Sequence, residues 1–272
     1  MSTLSVNGLI KDFPSRSGGA RGRFRAVNDV SFELTSGRTV ALVGESGSGK
    51  STVARMIAQL EKPTAGSIEL DGLKIASAGR ALRRYRSAVQ MVFQDPFASL
   101  NPYHSISHHL RRPLQLNRQA ESAAGYDREV LRLLERVNLT PAPDFIHRRP
   151  HELSGGQRQR VAIARALAPK PRVLIADEPV SMLDVSIRLG VLNLMAQLQR
   201  EEDLAVLYIT HDLATARHFS DEILVMYRGE VVEHGPSDAV ILDPRHEYTK
   251  RLLAAAPDPG THPRFAELQG RA

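Results

Sequence analysis

Residues 44–51 read Gly-Glu-Ser-Gly-Ser-Gly-Lys-Ser, which matches the spacing G-x-x-x-x-G-K-[ST] without deviation. The apolar run Thr39–Val43 precedes this string, and residues 52–60 follow with apolar side chains at helical spacing. Glycines allow successive backbone N–H groups to point into one concavity, and the helix N-terminus adds positive partial charge there. The string therefore predicts a phosphate-binding P-loop, rather than a plain glycine-rich turn, and a nucleoside triphosphate as its ligand.

Each part of this predicted loop has an expected role. Lys50 should reach the β- and γ-phosphates, and the Ser51 hydroxyl should ligate Mg²⁺ with Thr52 beside it. The residues predicted to contact the nucleotide here are Gly44, Glu45, Ser46, Gly47, Ser48, Gly49, Lys50, Ser51 and Thr52.

Composition excludes several other classes of site and partner. The chain contains no cysteine, which excludes disulfides, thiolate metal sites and Cys-ligated iron–sulfur clusters. No signal sequence is evident at the N-terminus, and no stretch approaches the roughly 18 apolar residues that a membrane-spanning helix needs. The net charge is +6, but the arginines are scattered and form no stripe interleaved with aromatics. We therefore expect a solvated basic surface and no nucleic-acid partner.

Alternation of strand and helix patterns predicts an α/β fold with a mainly parallel sheet. Buried strands are expected at Val89–Phe93, Arg172–Ala176 and Leu204–Thr210, and a loop at Pro14–Gly22. The alternation is interrupted after Asp95, where Pro96, Pro102 and Pro113 are expected to break the chain. A helical pattern follows, and a loop is expected at Pro141–Pro150. We predict a core of residues 1–94 and 169–235, an inserted helical subdomain at 95–168, and a C-terminal extension at 236–272 with one short helix near Tyr248.

Two carboxylates end the predicted strand at Arg172–Ala176. Asp177 at such a strand end, facing a P-loop, can hold Mg²⁺, and Glu178 can orient and deprotonate an attacking water. A helix-capping pair is the structural alternative. The intact P-loop upstream favours the catalytic interpretation.

A second string, Leu-Ser-Gly-Gly-Gln at 153–157, opens a predicted helix from about Gly156 to Ala168. Ser154 and Gln157 have the spacing of a capping box, so a simple helix start is one interpretation. Two glycines of poor helix propensity between them make that interpretation incomplete. Ser-Gly-Gly at a helix N-terminus predicts a second anion-binding site, offered to a nucleotide across a dimer. The predicted contacts are Ser154, Gly155, Gly156 and Gln157.

These three strings stand in the order and spacing of ATP-binding-cassette (ABC) ATPases, and the chain resembles that family over nearly its whole length. The resemblance implies a RecA-like P-loop NTPase core, with an N-terminal antiparallel β region and an inserted helical subdomain. It implies ATP and Mg²⁺ as ligands, and ATP hydrolysis as the activity.

The resemblance also assigns roles to further positions. Gln94 is similar to the Q-loop glutamine that contacts Mg²⁺ and the attacking water, and His211 to the switch histidine at the γ-phosphate. Ser181–Asp184 resembles the D-loop, with Met182 in place of the usual alanine. The implied catalytic residues are Glu178, His211, Gln94 and Lys50. The implied metal ligands are Ser51, Gln94 and Asp177.

An aromatic ring upstream of the P-loop stacks on adenine in this family. Phe13 occupies the usual place just after the first strand, and Phe24 is the alternative. Either phenylalanine can instead belong to the core.

Three further strings narrow the resemblance to the oligopeptide/dipeptide importer ATPases: Gln94–Pro102, Pro150–Leu153 and Asp243–Thr249. Nickel and oligosaccharide importers share them, and a soluble ABC ATPase acting on nucleic acid is an alternative from another class. The importer interpretation implies a second cassette, identical or a sister subunit, which completes the ATP site. It also implies permease subunits, an indirectly linked solute-binding protein, and a peripheral location at the cytoplasmic face of the plasma membrane.

Overall fold

The structure is a computed structural model that describes residues 2–17, 20–76 and 78–255, with the backbone alone for 15–17, 20 and 21. The predicted loosely ordered stretch Pro257–Pro263 lies outside these ranges. Within these ranges, ten strands form two sheets, one of six strands and one of four. The strands are β1 (Thr3–Ser17), β2 (Ala20–Thr35), β3 (Thr39–Val43), β4 (Ala65–Leu70), β5 (Leu73–Lys74), β6 (Val89–Val92), β7 (Val173–Asp177), β8 (Ala205–Thr210), β9 (Glu222–Tyr227) and β10 (Glu230–Pro236).

The six-stranded sheet has the order β10-β9-β3-β8-β7-β6. Every neighbouring pair is parallel except β9 with β10. Strands β3, β7 and β8 are apolar at nearly every position because both of their faces are buried. Alternate residues of one strand serve different cores, with Ala41 and Val43 in one and Val40 and Leu42 in the other. The predicted mainly parallel α/β fold is confirmed.

The four-stranded sheet is antiparallel, in the order β2-β1-β4-β5, and forms the predicted N-terminal β region. The prediction of a loop at Pro14–Gly22 is wrong, because β1 and β2 remain paired in this stretch. Pro14 lies opposite Arg23, and Ser17 lies opposite Ala20. Pairing of β1 with β4 ends at Ile10, so this distal part is a two-stranded ribbon. Pro14 fits there because an edge strand does not need every backbone N–H.

Within the described residues, the sheets are accompanied by eleven α-helices and by a short 3-10 helix at Pro150–Glu152. Five of the α-helices lie in sequence between β6 and β7, and the others connect or flank the strands. The five are α3 (Pro96–Ser99), α4 (Ile106–Leu116), α5 (Ala123–Arg136), α6 (Pro143–Ile146) and α7 (Gly155–Leu167). The others are α1 (Lys50–Ile57), α2 (Gly79–Ala88), α8 (Val185–Glu202), α9 (Leu213–Phe219), α10 (Ser237–Leu242) and α11 (Glu247–Ala255).

Helix positions differ from expectation in three places. Pro113 was expected to interrupt the chain but lies inside α4, whose buried Leu110 and Leu114 anchor it in the core. The predicted loop Pro141–Pro150 contains α6, which begins at a proline, where a missing N–H costs nothing. The C-terminal part has α10 in addition to the helix predicted near Tyr248. The division into core, insert and extension stays a prediction.

Candidate nucleotide-binding site

Two glycines of the loop between β3 and α1, Gly44 and Gly49, leave no room for a side chain. Gly49 has φ +109°, and a Cβ there would lie 2.4 Å from the carbonyl oxygen of Ala26. A Cβ on Gly44 would lie 2.1 Å from the carbonyl oxygen of Met226. The loop therefore lies directly against the backbone of β2 and β9.

Lys50 is buried, with 4% of its surface exposed. Its Nζ donates hydrogen bonds to the carbonyl oxygens of Gly44 (2.7 Å) and Glu45 (2.8 Å). Burial lowers the pKa of Lys50 from its ordinary value, while the carboxylates of Glu178 and Asp177 oppose that shift. A longer hydrogen bond of 3.5 Å goes to the Ser48 hydroxyl. An ammonium held by neutral acceptors of this kind can donate to phosphate oxygens.

Ser51 and Asp177 meet as predicted. The Ser51 hydroxyl donates a hydrogen bond to Oδ1 of Asp177 over 3.1 Å, and Asp177 is 5% exposed. Burial raises the pKa of Asp177, with the negative charge of Glu178 adding to the effect, although the Ser51 hydrogen bond opposes it. Such a carboxylate is stabilised in its charged form by a nearby cation.

This donor set fits Mg²⁺. Hydroxyl and carboxylate oxygens are hard ligands, and Mg²⁺ usually binds through one or two carboxylates together with substrate phosphates. Among the described residues, no group of three or more His, Asp or Glu side chains is placed to hold a metal ion by itself. A Mg²⁺ at Ser51 and Asp177 would therefore depend on the phosphates for further ligands.

Two predicted catalytic side chains, Gln94 and His211, meet at the carboxylate of a third, Glu178. Glu178, Gln94 and His211 follow β7, β6 and β8, whose carboxyl ends lie at the same edge of the sheet. Gln94 Nε2 donates to Glu178 Oε2 over 2.9 Å, and His211 Nδ1 lies 3.5 Å from the same oxygen. The side chain of Glu178 is 17% exposed and that of His211 is 59% exposed. The cluster is thus enclosed on the protein side and open towards solvent at His211.

The Leu-Ser-Gly-Gly-Gln string forms the predicted capping box at the start of α7. The Ser154 hydroxyl accepts from the Gln157 amide over 3.3 Å, and Gln157 Oε1 accepts from the Ser154 amide over 3.0 Å. A Cβ on Gly156 would lie 2.6 Å from Cγ2 of Ile187. No hydrogen bond of the described residues joins Ser154 or Gln157 to residues 44–51.

The two candidate adenine-stacking residues are direct neighbours. Phe13 and Phe24 face each other across the β1–β2 pair and therefore lie on the same face of it. Phe24 is 59% exposed, whereas Phe13 is half-buried with Lys11 Nζ 4.9 Å from its ring centroid. The two phenylalanines that the sequence offers as alternatives therefore lie side by side, and Phe24 is the more exposed of the two.

One contact to the loop was not predicted. The hydroxyl of Tyr248, on α11, accepts a hydrogen bond from the backbone N–H of Glu45 over 2.9 Å. Tyr248 lies in Asp243–Thr249, one of the three strings that resemble the oligopeptide/dipeptide importer ATPases. Nothing in that string indicates contact with a loop about 200 positions earlier.

None of the helices in the described ranges combines the length and the apolar character that a bilayer crossing requires. Comparison with protein families gives a match to the ABC transporter model over residues 27–181. The chain belongs to the ABC transporter family. This match confirms the resemblance, and with it the prediction of an ABC ATPase fold.

Curated relatives carry peptide-import names. Glutathione import ATP-binding protein GsiA of Salmonella typhimurium is 46% identical over 95% of the chain, which spans 42% of that relative. Di/tripeptide transport ATP-binding protein DppF of Pseudomonas aeruginosa is 45% identical, with 94% of the chain and 79% of the relative covered. Dipeptide transport ATP-binding protein DppF of Haemophilus influenzae is also 45% identical, with coverages of 93% and 78%.

Solved structures agree on the fold. The bacterial ABC transporter cassette MJ0796, in a dimeric post-hydrolysis state bound to ADP and Pi, superposes with a TM-score of 0.76 at 31% identity. That match covers 86% of the chain and 98% of the cassette. The CbiO1 subunit of the Clostridium perfringens CbiONQ transporter gives the same TM-score at 25% identity, over 98% of both chains.

Proposed function

We propose that this chain is the ATP-hydrolysing subunit of an importer of small peptides. The observation that carries the proposal is the carboxylate of Glu178, held by Gln94 and facing His211, next to the Ser51–Asp177 pair. The arrangement presents a proton acceptor beside a predicted phosphate-binding loop. The peptide-import names of relatives at about 45% identity support the choice of cargo.

The predicted reaction is attack of water on the γ-phosphorus of ATP, with cleavage of the bond to the β-phosphate oxygen. Glu178 accepts the proton of that water, and Gln94 and His211 orient the carboxylate and the water. Lys50 and the loop N–H groups bind the phosphate oxygens and offset the charge that develops on them. Ser51, Asp177 and Gln94 are the proposed Mg²⁺ ligands, and the ion would neutralise phosphate charge when bound.

The active unit in this proposal is a pair of cassettes. In this pair, the P-loop of one subunit faces Ser154, Gly155, Gly156 and Gln157 of the other. The lack of a hydrogen bond, among the described residues, from Ser154 or Gln157 to residues 44–51 of the same chain supports this arrangement. MJ0796, which resembles this chain, is dimeric in its solved structure. The partner is either a second copy or a sister subunit. The pair works on permease subunits at the cytoplasmic face of the membrane, which receive cargo from a solute-binding protein.

Uptake measurements test this function. In cells that lack this chain, wild-type protein should restore uptake of a labelled dipeptide, and Glu178→Gln should not. Glu135→Gln, at an exposed position on α5, is the matched control and should restore uptake. Restoration of nickel or oligosaccharide uptake without dipeptide uptake would overturn the choice of cargo. Full dipeptide uptake with Glu178→Gln would overturn the proposed mechanism.

A further inference from the structure

The C-terminal helix α11 reaches the predicted phosphate-binding loop through one buried side chain. Tyr248 is 5% exposed, and its hydroxyl accepts the 2.9 Å hydrogen bond from the Glu45 amide. The two residues are 203 positions apart in the chain. This contact therefore depends on the packing of α11 and not on the local sequence of the loop.

The ring of Tyr248 is fixed on one side by β9. It stacks on the ring of Tyr227, the last residue of that strand, at a centroid distance of 4.1 Å and an interplanar angle of 28°. Strand β9 pairs with β3, and β3 leads into the loop. Tyr227 and the loop therefore lie at the ends of two neighbouring strands of one sheet. Aromatic stacking of this kind restricts the ring and so fixes its hydroxyl.

The backbone around Tyr248 is fixed by β10. The carboxylate of Glu233 accepts hydrogen bonds from the amides of Arg245 (2.7 Å) and His246 (3.0 Å). The Tyr248 amide in turn donates to Nδ1 of His246 over 3.1 Å. Partial burial opposes ionisation of Glu233, but its hydrogen bonds and the nearby His246 outweigh burial, and the pKa of Glu233 lies below its ordinary value. The start of α11 is therefore anchored by a charged acceptor.

The Glu45 amide and the Gly44 carbonyl belong to one planar peptide group. Tyr248 accepts from its N–H, and Lys50 Nζ donates to its carbonyl oxygen over 2.7 Å. Rotation of this plane would break both hydrogen bonds together. The two hydrogen bonds, one to the Tyr248 hydroxyl and one from the Lys50 ammonium, thus fix the orientation of the 44–45 peptide group.

We propose that Tyr248 is a positioning residue of the nucleotide site, which fixes the 44–45 peptide plane and through it the position of Lys50. This inference rests on the proposed role of residues 44–51 in binding phosphate. The C-terminal helix then belongs functionally to the ATP site. Loss of the hydroxyl leaves the Glu45 amide without its acceptor and lets the peptide plane rotate, so that Lys50 is less well placed for ATP.

The first test is ATP binding and hydrolysis by the full chain carrying Tyr248→Phe. The dissociation constant for ATP should rise about threefold to tenfold, the effect of one buried hydrogen bond. KM should rise by a similar factor, with a smaller change in kcat. Tyr85→Phe is the matched control, because Tyr85 is also a buried tyrosine whose hydroxyl is hydrogen-bonded to the backbone, in its case as a donor to the Ile57 carbonyl over 2.7 Å. It should lower thermal stability and leave ATP affinity unchanged.

A second pair of variants tests the hydrogen bond itself. Glu45→Pro removes the donor N–H, whereas Glu45→Ala keeps it. Tyr248→Phe should weaken ATP binding in the Glu45→Ala background and have no further effect in the Glu45→Pro background. Wild-type affinity in Tyr248→Phe would overturn the inference, as would equal effects in both backgrounds. Failure of the wild-type chain to bind ATP would instead overturn the proposed function.

Discussion

Gln94 Nε2 donates a 2.9 Å hydrogen bond to Oε2 of Glu178, which joins the end of β6 to the end of β7. Glu178 has a left-handed backbone, with φ +45°, and its amide donates to the Ile209 carbonyl of β8 over 2.9 Å. A non-glycine residue in this conformation is strained, and surrounding contacts must hold it there. The Gln94 contact restricts the carboxylate to one orientation, facing His211.

Removal of the Gln94 amide should therefore impair hydrolysis more than binding. In Gln94→Ala the Glu178 carboxylate loses its donor, and kcat should fall about tenfold to 100-fold, as for other groups that orient a catalytic residue. KM for ATP should rise by a smaller factor, because one proposed Mg²⁺ ligand is lost. Phosphate-release kinetics measure both values. Gln90→Ala, within β6, is the control, because Gln90 Nε2 donates to the Arg86 carbonyl and not to Glu178. Equal losses in the two variants would contradict the role of Gln94.

The helix start at Ser154 allows a sharp test of the two-subunit site. Ser154→Arg should leave ATP affinity close to that of the wild type, because the side-chain hydrogen bond found for Ser154 among the described residues goes to Gln157 and not to the P-loop of its own chain. Hydrolysis should be lost, because the arginine side chain would occupy the surface offered to the nucleotide of the partner. Equilibrium ATP binding and phosphate release measure the two effects.

Ser122→Arg is the matched control for this variant. Ser122 caps α5 in the same way, accepting a 3.1 Å hydrogen bond from the Gly125 amide. Both variants should lose about 1 kcal/mol of stability with the cap. Only Ser154→Arg should stop hydrolysis. Normal hydrolysis in Ser154→Arg would exclude a site completed by residues 154–157 of a partner.

Gly49→Ala should be more destabilising than Gly72→Ala. Both glycines have positive φ, +109° and +74°, so alanine at either position costs about 1–2 kcal/mol in backbone strain. A Cβ at Gly49 would in addition lie 2.4 Å from the Ala26 carbonyl oxygen, whereas one at Gly72 meets nothing within 4 Å. Urea unfolding gives the two free energies of unfolding. Equal losses would show that β2 does not press on the loop.

The strand ends could be predicted from the sequence because buried strands are continuous apolar runs. A polar residue follows each of the predicted strands Val89–Phe93, Arg172–Ala176 and Leu204–Thr210. A parallel sheet brings those polar residues to one edge. The family resemblance selects Gln94 and His211, and that rule places them beside Glu178 at one edge of the sheet. The distances between these three side chains cannot be predicted in the same way, because they depend on the left-handed backbone at Glu178.

Other features depend on contacts that local sequence does not encode. Serine, glycine and proline at Pro14–Gly22 favour a loop, but cross-strand pairing overrides that preference and places Phe24 opposite Phe13. Pro113 is accepted inside α4 because the core contacts of the helix outweigh its missing hydrogen bond. Tyr248 reaches Glu45 only because β9, β10 and α11 pack together.

Whether Glu178 is the general base is decided by comparing ATP binding and phosphate release in the wild-type and Glu178→Gln proteins. Glutamine keeps the size of the side chain and can still lie beside Gln94 and His211, but it cannot accept a proton from water. ATP should bind with near wild-type affinity, and phosphate release should slow by about 100-fold or more. Near-normal phosphate release by Glu178→Gln would contradict the assignment of Glu178 as the base.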